Sequence, residues 1–308
     1  MDMGRLILQT KHLTKRYKKV NVVDHVSMSI ERGNIYGFIG LNGAGKSTFI
    51  RLITGLTHPT EGTLQLFGKA DARSLIEARQ RMGTLIEHPA LFPHLTAHDN
   101  LEIIRLQRGI PGKDCIDRSL KRVGLDQTGK KKVKNFSLGM RQRLGIAMAL
   151  LNDPEFLILD EPINGLDPMG VIEIRQLLKK LNEQYGVTIL ISSHILSEVH
   201  QLATHYGIIH QGRLIDELSA TQLDEKCQAY LLIKVNDPEI AVTILENELK
   251  TVAYEVLTDG FIKLYRYIDE PAYVTKTFVK HGLDIEQITP QKDTLESYFT
   301  RVIKGRVA

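Results

Sequence analysis

The sequence predicts an α/β protein with a mixed β-sheet core, an antiparallel β region and an inserted helical subdomain, followed by a small α+β domain. Three patterns carry this prediction. Short apolar stretches alternate with helical ones, a glycine-rich loop stands between one such stretch and a helix, and the alternation restarts near residue 219. Near-continuous apolar strands are typical of parallel sheets that helices cover on both faces. With 308 residues, the chain is expected to form about two domains, residues 1–218 and 219–308.

Composition limits the class of protein. A hydrophobic fraction of 43% and a charged fraction of 25% are ordinary for a soluble globular chain with a sizeable core. No run of about 18 apolar residues is present, and residues 1–9 lack the apolar segment of a secretion signal, so we expect no membrane span and no such signal. Cys115 and Cys227 fit no metal spacing and are expected to be reduced structural thiols in a cytosolic protein.

The charge of the chain does not indicate a nucleic-acid partner. The net charge is +4, which is only mildly basic. The one dense basic run, lysines 130–132 and 134, is expected to form a solvated turn. We therefore predict that the protein binds no nucleic acid.

The N-terminal part of the chain predicts the antiparallel β region. Alternating apolar residues bounded by turn-rich segments indicate short strands there. The predicted strands are residues 6–10, 20–23 continuing through 26–30, and 63–68.

A phosphate-binding loop interrupts this region. Residues 34–39 predict a buried strand, residues 40–48 (GLNGAGKST) fit the pattern G-x-x-x-x-G-K-[ST], and residues 47–54 predict a helix. Glycines let backbone N–H groups wrap a polyphosphate, and the helix N-terminus adds positive partial charge. Lys46 is expected to reach the β- and γ-phosphates, and Ser47 to hold Mg²⁺. The candidate binding residues are Gly40, Asn42, Gly43, Ala44, Gly45, Lys46, Ser47 and Thr48.

The helical subdomain is predicted over about residues 88–152. Apolar residues recur at helical spacing in three segments of this region. These segments are residues 99–107, 113–123 and 139–151.

Two later strands place acidic side chains beside the phosphate loop. Residues 156–160 and 187–192 are near-continuous apolar stretches joined by a helix over residues 169–185, which is a β-α-β unit. Ligands of such sheets bind at the carboxyl ends of the strands. Asp160 is suited to bind the hydration shell of Mg²⁺, and Glu161 to activate water as a general base. The alternative is an acidic turn without chemistry.

His194 follows the second of these strands and is expected at the same edge of the sheet. An imidazole there can contact a γ-phosphate and orient the attacking water. The chain has 11 histidines, and only its position after a strand distinguishes this one. The alternative is a structural histidine.

The pattern restarts after residues 218–220. Asp259 and Gly260 are a strong turn signal between two short strands. The predicted elements are a strand over 230–235, a helix over 238–248, a hairpin of 254–257 and 262–267, a helix over 271–280, a strand over 285–288 and a closing helix over 293–304. This strand-helix-strand-strand-helix-strand order is ferredoxin-like.

The motifs together resemble the ATP-binding cassette (ABC) family over roughly residues 6–217. The resemblance implies a P-loop NTPase cassette that binds ATP with Mg²⁺ and hydrolyses ATP. It implies that residues 40–48 are the Walker A loop and Asp160 the Walker B aspartate. It also implies that Glu161 is the catalytic glutamate and His194 the switch histidine. The implied catalytic residues are Glu161, His194 and Lys46.

The family's signature segment, commonly L-S-G-G-Q, corresponds to residues 136–140 (FSLGM), which begin a longer helical segment. Ser137 and Gly139 remain from the common form. The resemblance implies that they clamp the γ-phosphate of ATP held by a partner cassette, which a helix N-terminus favours. Residues 164–167 resemble the D-loop, which would place Asp167 at the dimer seam. The alternative for the signature is an N-capped helix without a ligand.

Two further residues are assigned by position. Tyr17 stands where the family stacks an aromatic ring on adenine; the alternative is an ordinary core or surface tyrosine. Glu87 stands where most members have a glutamine, and its carboxylate can ligate Mg²⁺. Glutamate here, together with the altered signature, resembles the subgroup that exports bacitracin and lantibiotics. The alternative is a neutral replacement of glutamine.

The resemblance implies an ATPase subunit that powers a separate membrane permease and exports a peptide antibiotic for resistance or self-immunity. Its implied partners are permease subunits and a second ABC subunit, identical or related, at the inner face of the cell membrane. Alternatives are an exporter of another drug or lipid, a soluble ABC protein of ribosomes or DNA, and a small-molecule kinase or GTPase. The chain lacks the second cassette and the long coiled coils of the soluble relatives, and Ser137 and His194 argue against a kinase.

Overall fold

The computed structural model describes residues 5–304, except for the side chain of Lys304. Residues 1–4 and 305–308 lie outside the described residues, so the expectation that residues 1–9 carry no secretion signal falls partly outside them. The chain divides after Ala220 into two compact units. No helix within residues 5–304 combines the length and apolar character needed to cross a membrane.

The first unit contains two sheets. Its strands are β1 (Leu6–Tyr17), β2 (Val20–Glu31), β3 (Ile35–Ile39), β4 (Glu61–Leu66), β5 (Met82–Leu85), β6 (Phe156–Asp160), β7 (Thr188–Ser193), β8 (His205–His210) and β9 (Arg213–Ser219). One sheet has the order β5-β6-β7-β3-β8-β9, and its pairs are parallel except for β8–β9. Every residue of β3, β6 and β7 is buried, as near-continuous apolar strands require. The other sheet, β2-β1-β4, is antiparallel.

Side chains cap the N-termini of several helices of this unit. They are α1 (Lys46–Thr54), α2 (Ala72–Arg79), α3 (Ala97–Gln107), α4 (Asp114–Arg122), α5 (Leu138–Leu150), α6 (Pro168–Tyr185) and α7 (Leu196–His200), with short 3₁₀ helices at Asp126–Thr128 and Val133–Asn135. Thr96 forms a capping box with Asp99, so α3 begins two residues earlier than its apolar spacing predicts. Asp167 caps α6, and Pro168 fills its first turn.

Several elements of the first unit carry no clear sequence pattern. The strand β5 has only four residues, and β9 is a half-buried edge strand with polar residues. Neither therefore shows the alternation of apolar and polar residues that predicts a strand. The helix α2 is mostly exposed and was not predicted either. The predicted strand over 63–68 is shifted, because β4 ends where Phe67 adopts a left-handed φ of 51°.

The second unit contains one antiparallel sheet and four helices. Its elements are α8 (Ala220–Lys226), β10 (Ala229–Val235), α9 (Pro238–Asn247), β11 (Tyr254–Val256), β12 (Phe261–Leu264), α10 (Pro271–Lys280), β13 (Ile285–Lys292) and α11 (Leu295–Lys304). The sheet order is β11-β12-β10-β13. Apolar residues of β10 and β12 pack with those of α9 and α10 in one core. The edge strand β13 continues to Lys292, four residues beyond the apolar stretch, because its polar end and Pro290 still pair with β10.

Candidate nucleotide site

The phosphate loop joins β3 to α1 and lines a cleft of about 440 Å³. Gly43 and Gly45 have positive φ values of 79° and 106°. A Cβ on Gly45 would lie 2.5 Å from the carbonyl oxygen of Val22, and one on Gly40 would lie 2.5 Å from that of Ile209. Because backbone atoms leave no room for a side chain at these two positions, glycine lets the loop pack against β2 and β8.

Lys46, the first residue of α1, directs its ammonium group into the loop. The residue is only 5% exposed. Its Nζ donates to the carbonyl oxygens of Gly40 at 2.7 Å and Leu41 at 3.3 Å, and lies 3.2 Å from Oε1 of Glu161. A buried ammonium needs such compensation. The arrangement leaves a fixed positive charge at the floor of the cleft, where it can neutralise a polyphosphate.

Glu161 follows β6, and its carboxylate is held from two sides. Oε1 contacts the ammonium of Lys46, while Oε2 lies 2.6 Å from Nδ1 of His194. The backbone of Glu161 has a left-handed φ of 52°, and its N–H donates to the carbonyl oxygen and to Oγ of Ser192. Such a backbone is costly for a residue other than glycine and persists because its surroundings hold it. The result is a carboxylate fixed at the cleft, as a general base requires.

Asp160 precedes Glu161 and is the last residue of β6. It is 2% exposed, and Ser192, its partner across β6 and β7, donates to Oδ1 from Oγ at 2.5 Å. Within residues 5–304, no cluster of three or more His, Cys, Asp or Glu side chains forms a metal site by itself. A cation here would be held jointly by Ser47, Asp160 and phosphate oxygens, which suits Mg²⁺. The residues present therefore fit a magnesium–nucleotide complex.

An ion-pair network supports the phosphate loop from the side of the antiparallel sheet. Nδ1 of His25 lies 2.8 Å from the carboxylate of Asp24, and Nε of Arg213 donates to it at 2.6 Å. These hydrogen bonds, that of His25 first, lower the pKa of Asp24 to about 2. The N–H of Asp24 also donates to Gly212, whose own N–H donates to the carbonyl oxygen of Ala44. The network thus reaches the phosphate loop through the backbone.

Some predicted site residues do not line the cleft. They are Tyr17, Gly40, Glu87, Ser137, Gly139, Asp160 and Asp167. Tyr17 ends β1 with its side chain half-exposed, and Nζ of Lys15 lies 5.1 Å from the centre of its ring. The carboxylate of Glu87 contacts Arg51 instead of the cleft. The nucleotide and metal roles of these residues remain predictions.

The signature and D-loop residues are engaged locally at helix N-termini. Oγ of Ser137 accepts the N–H of Met140 at 3.1 Å, and Oδ1 of Asp167 accepts the N–H of Gly170 at 3.2 Å. Ser137 is nevertheless exposed and Gly139 partly exposed. Both segments therefore face outward from the surface of their own chain.

Three contributors to the site were not assigned from the sequence. Val22 and Asn164 line the cleft, and Oγ of Ser192 donates to Asp160 and accepts the N–H of Glu161. Asn164 belongs to the D-loop segment, and its position three residues after Glu161 is a sequence signal that it lies near the cleft. The role of Ser192 depends on the pairing of β6 with β7, which the sequence does not reveal.

The chain is similar to known ABC transporter proteins. Residues 23–164 match the family model described as ABC transporter. The bacitracin transport ATP-binding protein BcrA of Bacillus licheniformis is 44% identical over 299 residues, covering 97% of this chain and 98% of that protein. The lantibiotic transport ATP-binding protein SrtF of Streptococcus pyogenes is 43% identical over 211 residues, covering 68% and 90%. The dimeric structure of MJ0796, a bacterial ABC transporter cassette, gives a TM-score of 0.62 at 27% identity, covering 70% and 99%.

Proposed function

The chain belongs to the ABC transporter family as an ATP-binding and ATP-hydrolysing subunit, and we propose that it powers export of a peptide antibiotic of bacitracin or lantibiotic type through a separate permease. One observation carries the proposal: the similarity to the bacitracin transport protein runs through both compact units. The similarity to the lantibiotic relative spans a length close to that of the first unit alone. A bacitracin-type substrate is therefore favoured.

ABC ATPase subunits dimerise and work with permeases. For this chain we propose that two copies, or one copy and a related subunit, close face to face on ATP. Ser137 and Gly139 of one subunit would then bind the γ-phosphate held by the phosphate loop of the other, with Asp167 at the seam. The exposed N-terminus of α5 supports this arrangement, because backbone N–H groups there attract anions.

In the proposed reaction, Glu161 takes a proton from the water whose oxygen attacks the γ-phosphorus, and the bond from that phosphorus to the β–γ bridging oxygen breaks. His194 holds the carboxylate in place and orients the water. Lys46 neutralises charge on the phosphates, as its buried ammonium allows. Tyr17 would stack on the adenine.

Magnesium supplies further charge neutralisation at the β- and γ-phosphates. We propose that Ser47 and Asp160 hold it, with Glu87 as a further ligand. The carboxylate of Glu87 contacts Arg51 in the structure, so binding the cation would require that contact to break.

A second cavity of about 570 Å³ in the first unit is a candidate contact site for the permease. Leu56 and Ile76, which are 68% and 63% exposed, both line it, so two large apolar side chains lie at one surface site. Arg79 and Arg108 line the same cavity and donate to backbone carbonyl oxygens. Apolar side chains beside cationic ones suit an amphipathic segment of a partner.

We further propose that the predicted domain of residues 219–308, whose last four residues lie outside the described ones, is an accessory ferredoxin-like domain. The order of helices and strands in the second unit, together with its sheet order, supports this assignment. The chain would lie in the cytoplasm, on the inner face of the cell membrane through its permease.

Expression of the chain with its co-purifying permease in a sensitive bacterial host tests the substrate. We expect cells with both proteins to tolerate more bacitracin than cells with either alone, and Glu161→Gln to abolish the gain. A lantibiotic serves as the second drug. The proposal would be contradicted if cells with both proteins were as sensitive to bacitracin and to the lantibiotic as cells without them.

A further inference from the structure

We propose that Arg51 is a positioning residue that holds Glu87 and so connects the phosphate-loop helix to the surface that the permease contacts. The proposal rests on the proposed function. Its starting point is an ion pair in which Nη2 of Arg51 donates to Oε1 of Glu87 at 2.5 Å. A glutamine at residue 87 would carry no charge and would lose most of this attraction.

The ion pair joins helix α1 to the loop that follows β5. Arg51 lies in the last turn of α1, the helix that begins with Lys46. Glu87 lies just after β5, on the loop that leads towards α3. Its backbone has a left-handed φ of 59°, so this loop makes a tight local turn. A shift of α1 on binding phosphate would therefore act on Glu87 through one contact.

Both elements continue into the lining of the 570 Å³ cavity. Thr54 and Leu56 line it from the end of α1, and Met82 and Thr84 line it from β5. The ion pair thus bridges the same two elements that form one side of the proposed permease contact. Within residues 5–304 the structure records no second ion pair for either side chain.

The exposure of the pair argues against a mainly stabilising role. The two side chains are 43% and 62% exposed, and ion pairs so open to water add little to folding stability. A contact of this kind can still select one position of a loop. We infer that its effect lies in coupling, because Glu87 has two competing partners, Arg51 and the metal–nucleotide complex.

A double-mutant cycle on the complete transporter complex tests the proposal. The readout is the ratio of bacitracin-stimulated to basal ATPase activity in reconstituted vesicles. We expect Arg51→Gln and Glu87→Gln each to lower the ratio by about threefold, and the double variant to lower it no further, as partners in one interaction do. Arg118→Gln, which removes a similarly exposed ion pair with Asp153, is the matched control and should leave the ratio unchanged.

Hydrogen exchange of residues 84–90 in the isolated full chain gives a readout that does not depend on transport. Arg51→Gln should speed exchange there, while Arg118→Gln should not. The role of Arg51 would be overturned if the loss of ratio in the double variant equalled the product of the two single losses. Unchanged hydrogen exchange in Arg51→Gln would overturn it as well. A wild-type complex without any bacitracin stimulation, combined with faster exchange in Arg51→Gln, would overturn the proposed substrate and leave the positioning role supported.

Discussion

The cleft and the signature segment, the two proposed halves of the ATP site, differ in what holds them. In the cleft, the side chains touch one another within one chain. Lys46 lies 3.2 Å from Glu161, whose other oxygen lies 2.6 Å from His194. The phosphate loop is further fixed at Gly40 and Gly45, where a Cβ would lie 2.5 Å from a backbone carbonyl oxygen.

The signature side shows no such convergence. Ser137 and Asp167 each cap their own helix, and neither lines the cleft. One chain therefore preorganises the cleft by itself, whereas the signature segment faces outward, as the proposed contact with a second subunit requires. Nucleotide binding and nucleotide hydrolysis should therefore respond to different substitutions.

ATP turnover should change most when the general base of the cleft is removed. Glu161→Gln should lower ATP turnover by about a hundredfold or more, the usual contribution of a general base, while ATP stays bound. Steady-state phosphate release and filter retention of ATP measure the two quantities. Glu183→Gln, on the exposed face of α6, is the control. Normal turnover in Glu161→Gln would refute the general-base role.

The next effect concerns affinity. Lys46→Ala should weaken ATP binding by about tenfold or more, because a charge-assisted contact to phosphate is lost. Equilibrium titration with a fluorescent ATP analogue measures it, with Lys180→Ala on the surface of α6 as the control. Wild-type affinity in Lys46→Ala would contradict the assignment of the loop.

A smaller effect should separate the two halves. Ser137→Asn keeps an N-cap residue on α5 but removes the hydroxyl. We expect it to leave ATP affinity of the dilute chain unchanged and to lower turnover by about tenfold, the size of one lost charged hydrogen bond. If the dilute Ser137→Asn chain binds ATP as weakly as Lys46→Ala does, Ser137 acts on the nucleotide of its own chain. The distinction between the cleft and the signature segment would then be wrong.

The smallest effect depends on pH. The pKa of Asp24 is lowered to about 2, chiefly by His25 and then by Arg213. Its stabilising contribution is therefore complete above the ordinary pKa of about 4 and is lost as pH falls from about 4 towards about 2. Asp24→Asn should melt at a lower temperature than wild type at neutral pH, with the difference shrinking over that acidic range. A difference that does not depend on pH would refute the role of the charge.

The sequence predicts the parts of this molecule that are local. The phosphate loop, the buried strands β3, β6 and β7, and the acidic residues after β6 all follow from contiguous patterns. Contacts across the fold do not. The bond from Arg213 to Asp24 joins residues 189 apart in sequence. No period or motif specifies such a pairing, which arises only when β8 and β9 fold beside β2.

The same limit applies to the partners of Glu87 and Ser192. A family position suggested that Glu87 approaches the metal, but its partner in the structure is Arg51, on a helix 36 residues earlier in the chain. Ser192 binds Asp160 because β6 and β7 are paired in register. Both contacts depend on strand order, which a single sequence does not contain.

In the proposed arrangement, hydrolysis needs the signature segment of a second subunit. The concentration dependence of the ATPase activity of the purified full chain is the measurement that decides whether this requirement holds. The arrangement predicts that activity per molecule rises with protein concentration in dilute solution, because two chains must meet. If the ATPase activity per molecule instead stays at its full value on dilution, hydrolysis does not need a second subunit.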